Sequence, residues 1–145
     1  MPLHLIKLAV GCDSIKEFKG WVADRIRVAR EKGTPLHHIH ITRMVPKRDA
    51  ELLDGGSIYW VIRGEIAVRE KLLAIEPFRD SAGINRCRLV MQPKVFSVAP
   101  RPLRPFQGWR YLADSDAPPD LGKAAASIEA MPEPMRRELR ELGLL

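Results

Sequence analysis

The run LHLIKLAV, residues 3–10, is apolar and rich in branched side chains, and reads as a buried strand that Gly11 and Cys12 break. The period then changes. Ile15, Phe18, Val22, Ile26 and Ala29 recur at three and four residues, the buried stripe of an amphipathic helix, and Lys16, Lys19, Asp24, Arg27 and Glu31 fall mostly off it. Ser14 and Glu17 have the spacing of a capping box, and Gly33 with Pro35 beyond it is a stop signal. Residues 36–44 (LHHIHITRM) predict a second strand, and residues 45–56 are polar and turn-rich. Residues 57–62 (SIYWVI) are strongly β-prone; Arg63, Gly64 and Glu65 make a turn, and residues 66–75 are its hairpin partner. After a turn at residues 80–83, residues 86–98 predict a strand bent at Pro93, and a last strand is expected around residues 109–112.

The tail changes character. Residues 114–122 (DSDAPPDLG) read as an irregular acidic linker, residues 124–130 as a short helix, and Pro134 as the first position of a helix with a stripe of Met135, Leu139 and Leu142. This order of elements predicts an α+β fold with a mostly antiparallel sheet, closed into a small β-barrel between an N-terminal and a C-terminal helix. Residues 1–113 form one barrel-like domain in this reading, and residues 114–145 a linker and helical tail packing on it. The same stripe is also suited to dock on a second copy as a homodimer.

Composition narrows the class. A chain of 145 residues with 46% apolar side chains is one ordinary domain and not a disordered one. Two cysteines, Cys12 and Cys87, make no disulfide framework. The N-terminus lacks the pattern of a signal peptide, and no apolar run is long enough to span a bilayer, so a soluble, cytoplasmic protein away from membranes is expected.

The net charge is +6, and its location matters more than its size. Residues 81–113 contain no Asp or Glu but carry Arg86, Arg88, Lys94, Arg101, Arg104 and Arg110; without these six, 18 basic residues face 18 acidic ones. Such a field attracts polyanions. Within it, RPLRPFQGWRYL (residues 101–112) joins arginines to Phe106, Trp109 and Tyr111, while Pro102 and Pro105 confine it to an edge or a loop. Guanidinium for phosphate and rings for bases is the chemistry of single-stranded RNA recognition; the alternative is that the rings fill the core and the arginines lie over them. Tyr59 and Trp60 face opposite sides of their strand, one toward the core, and Trp60 is a further stacking candidate.

Catalytic signals are weak. His38 and His40 point to the same side of a strand, but no CxxC, HExxH or carboxylate cluster completes a ligand set, so no metal and no cofactor are expected. Cys12 precedes a helix start, where the dipole lowers a thiol pKa, though a cysteine there is more often a small buried hydrophobe. Phosphate-cradling glycine loops are absent.

The combination SIYWVIRGEIAVREKLLAIEPF, GINRCRLVMQP and RPFQGWRYL resembles a family of uncharacterised, mainly alphaproteobacterial proteins defined only as a domain of unknown function, over nearly the whole chain. More distantly, the hairpin pattern from Gly56 resembles the barrel of PUA-like domains. That likeness implies a barrel fold and an RNA or modified-base substrate class; the GxKxxExR signature of ASCH domains is absent, and no catalytic residue is carried over. The residues favour an RNA-binding domain using Arg86, Arg88, Lys94, Arg101, Arg104, Arg110, Phe106, Trp109 and Trp60. The rivals are a small enzyme acting on a nucleotide or phosphorylated metabolite through His38, His40 and Cys12, and a protein-interaction module.

Overall fold

The computed structural model describes residues 2–122 and, beyond them, Pro132, Pro134, Met135, Arg137 and Glu138. Strand β1 (Leu3–Leu8) leads into helix α1 (Ile15–Lys32). Ser14 Oγ accepts the Glu17 N–H at 3.0 Å, and Gly33, at φ 70°, returns its N–H to the carbonyls of Ala29 and Arg30. Ile15, Phe18 and Val22 are buried as the spacing predicts, while Ile26 and Ala29 of the same stripe are half-buried.

The remaining elements are β2 (His38–Thr42), α2 (Asp49–Leu52), β3 (Ser57–Ile62), β4 (Glu65–Arg79), β5 (Asn85–Met91), β6 (Phe96–Pro102), β7 (Trp109–Ala113) and a 3-10 turn at Asp114–Asp116. Several boundaries differ from expectation, β4 running four residues beyond the expected end of its strand and β2 being shorter than expected. A four-residue helix interrupts the turn-rich residues 45–56, and the single strand expected over 86–98 is two strands, parted at Gln92–Val95 around Pro93.

The sheet order is β2-β5-β4-β3-β1-β7, with β6 also paired to β4. Only β1 and β3 run parallel; the other ladders are antiparallel. The fold is therefore α+β with a mixed, mainly antiparallel sheet. The expected barrel is not formed, because β2 and β7 end the sheet without pairing to each other. Side chains span that gap instead. Trp109 Nε1 donates to the Met44 carbonyl at 2.8 Å, and the Tyr111 hydroxyl accepts the N–H groups of Lys47 and Arg48 at 3.0 and 3.2 Å. Pro46 lies in the same segment and has no N–H to offer a backbone ladder.

Two cores result. The larger lies between α1 and the sheet and contains Leu5, Ile15, Phe18, Ile58, Trp60, Leu72, Leu89, Met91 and Trp109. The smaller, on the opposite face, contains Ile6, Tyr59, Val61, Ile66, Val98 and Phe106. Tyr59 and Trp60 thus serve opposite cores, as strand alternation requires. Residues 114–121 fold back on the smaller side, where Val98 pairs with Asp120 and Leu121 N–H reaches the Ser97 carbonyl. The helix expected over residues 124–130 and the stripe positions Leu139 and Leu142 lie outside the described residues.

Candidate functional site

The six cations of the acid-free segment are spread across the sheet. On β5, Arg86 pairs with Asp80 at 2.6 Å, and Arg88 lies 3.8 Å over the Phe78 ring, opposite Glu76. Arg101, on β6, stands opposite Ile66 and donates to the Asp116 carbonyl. From Ile66 to Glu76 is roughly 30 Å of extended chain at about 3.3 Å per residue. Lys94 lies 5.0 Å over Phe96, and Arg110, on β7, lies 4.6 Å over Phe106. Arg104 is exposed in the turn before β7.

The rings are in the cores. Trp60, Phe106 and Trp109 retain 3%, 8% and 8% exposure, and both indole N–H groups are bonded inside the protein. None offers a free face to a base; the arginines over Phe78, Phe96 and Phe106 cover aromatic surface from outside.

Docking of residues 43–48 against β7 adds cations from a distant part of the chain. The Tyr111 bond to Lys47 spans 64 positions, and it brings Arg43, Lys47 and Arg48 to the strand that carries Arg110. All are exposed, and Arg48 also lies 5.5 Å over Tyr111 and pairs with Glu51. Sequence spacing gave no sign of this grouping, because the two segments meet only in the fold.

His38 and His40 do share the inner side of β2, but they have separate surroundings. Nδ1 of His38 is 2.8 Å from both oxygens of Glu70, and Trp60 Nε1 donates to Oε1 of the same carboxylate at 3.0 Å. Glu70 is fully buried. Its position was readable: Val68, Glu70 and Leu72 are alternate residues of β4, so the carboxylate falls on the inward side. His40 meets the Trp60 ring edge-on at 5.3 Å. Burial, with Lys7, His38 and Arg25 adding positive charge, lowers its pKa to about 4. Burial also lowers the Lys7 pKa.

Cys12 is in the larger core, donating to the Ser14 carbonyl at 3.2 Å, and burial pushes its thiol pKa up, so the helix start does not make it a thiolate. Among the described residues no group of three or more His, Cys, Asp or Glu side chains is placed to hold a metal ion, and no helix is long and apolar enough to cross a membrane.

On the opposite face, residues missed in the sequence surround a recess. Arg69 grips Asp120 through Nε and Nη2 at 2.8 and 2.7 Å, while its Nη1 donates to Ser57 Oγ at 2.9 Å. His4 contacts Asp114 at 2.7 Å and Ser57 N at 3.0 Å. Only the 3-10 turn and the return of residues 114–121 bring these carboxylates to β1 and β4.

No curated protein and no solved structure matches the chain. Residues 5–145 match the model of the family described as protein of unknown function DUF1489, and the chain belongs to that family.

Proposed function

We propose that the protein binds a phosphate-bearing polyanion, RNA in the first instance, along the β7 end of its sheet. The supporting observation is the docking of residues 43–48 on β7, which gathers Arg43, Lys47, Arg48, Arg104 and Arg110 around one edge strand. Of these five only Arg48 has a carboxylate partner among the described residues. The buried rings make this a grip on the backbone and not a stack of bases, so binding should be tolerant of sequence and steeply salt-dependent.

Five phosphate contacts with a single strand imply a slope of log affinity against log salt of about −3.5, at roughly −0.7 per contact. Fluorescence anisotropy with a labelled single-stranded RNA between low and physiological salt measures it. Lys47→Glu with Arg110→Glu should flatten the slope by about 1.4 or more, whereas Arg86→Glu with Arg88→Glu, at the far end of the sheet, should leave it nearly unchanged. Absence of binding at low salt, or equal losses from both pairs, would refute the reading. No observation sets a substrate against His38 or His40, so the enzyme reading is not carried further.

A further inference from the structure

We propose that the recess between His4, Ser57, Tyr59, Arg69, Asp114 and Asp120 is a binding site for a small ligand bearing an ammonium or guanidinium group. This site is independent of the polyanion surface. The recess has a volume of about 310 Å3, enough for a group of a few heavy atoms, with Pro118 and Pro119 in its wall.

Its polar inventory leaves one negative charge over. Arg69 commits three of its five N–H groups here: Asp120 takes Nε and Nη2, Ser57 Oγ takes Nη1, and its Cζ lies 4.4 Å from the Phe96 ring centroid. The guanidinium and Asp120 cancel, so the pair presents no net positive charge to an anion. His4 is a neutral donor here. The Ser57 backbone N–H can only donate, so His4 Nδ1 accepts it and the ring proton sits on Nε2, directed at Asp114 Oδ1. Asp114 keeps its second oxygen for a donor from outside.

The Tyr59 hydroxyl points to a ligand independently. Tyr59 is 5% exposed, lines the recess, and has no hydrogen-bond partner among the described residues. It shares the lining of the recess with Arg69, Asp114 and Asp120, and burial raises its pKa. A buried hydroxyl without a partner carries a desolvation cost. A ligand N–H reaching both this oxygen and Asp114 removes that cost. A neutral polyol would leave the surplus charge uncompensated, and an anion would add to it.

The test titrates the full-length protein with methylguanidinium and with putrescine, following the backbone amides of Ser57 and Asp114 and the Tyr59 ring by NMR. Ribose and inorganic phosphate serve as neutral and anionic controls. Saturable shifts confined to these residues are expected for the two cations only. Tyr59→Phe keeps the ring packing and should weaken binding at least about fivefold, and Asp114→Asn about tenfold or more. Because Asp114→Asn also disturbs His4, Tyr59→Phe is the decisive variant. Cation shifts that Tyr59→Phe leaves unchanged, shifts spread over all exposed carboxylates, or saturable binding of ribose or phosphate at these residues would overturn the proposal.

Discussion

His40 is the residue whose protonation most directly opposes folding. Its pKa falls from 6.5 to about 4 in the native protein because a partly buried imidazole beside Lys7 and Arg25 resists a further positive charge. The unfolded chain therefore binds the proton more readily. His40 contributes stability that is complete above pH 6.5 and is lost as pH falls toward 4. The upper bound is about 3 kcal/mol, less in practice because the ring keeps some solvent. Acid unfolding followed by circular dichroism should show this loss, and His40→Gln should remove that share of the pH dependence; an unchanged profile would show that another group controls it. The shared side of His38 and His40 was legible, since it follows from alternation alone. The partner of His38 was less so: Glu70 looks like one more charge of a solvated hairpin until its inward phase along β4 is counted. The Cys12 environment was legible as a small buried hydrophobe, because the same apolar stripe that starts α1 also encloses the thiol.

Among the elements, α1 was readable in its start, its stop and the first turns of its stripe, which are local signals within one stretch of chain; Ile26 and Ala29 further along are only half-buried. The parting of β5 from β6 was half readable, since Pro93 marks a break but does not say which partner each piece finds. The connection from α2 to β3 held a feature that sequence could not reveal. Gly56 reads as part of a turn, yet a Cβ there would stand 2.2 Å from the carbonyl oxygens of both Leu3 and Leu52. Those are backbone atoms of β1 and α2, which cannot yield without moving the elements. Gly56→Ala should therefore cost about 3 kcal/mol or more by thermal or chemical unfolding, whereas Gly20→Ala, with open space around it and a helical host, should be neutral or stabilising. Equal stability of the two variants would mean that the β1–α2 approach is slack.

At the scale of the molecule, the cationic excess shows what one-dimensional contiguity hides. Residues 86–110 are a single positive stretch in sequence, but they thread β5, β6 and β7, and β5 is separated from β7 by three other strands. The fold disperses that charge and then concentrates a different set around β7 by means of two aromatic side chains. Sheet closure was illegible for a related reason: alternation fixes which way side chains point, not whether the last strand meets the first. One strand also governs how the architecture comes apart. β4 runs from Glu65 to Arg79, pairing with β3 and β6 through its first half and with β5 through its second. The two halves of the sheet share this one continuous strand, so neither can come away without loosening the backbone that templates the other. The native protein should unravel in one cooperative step, with the amides of residues 66–72 among the last to exchange in deuterated solvent; early exchange there would reveal two autonomous lobes joined by a hinge.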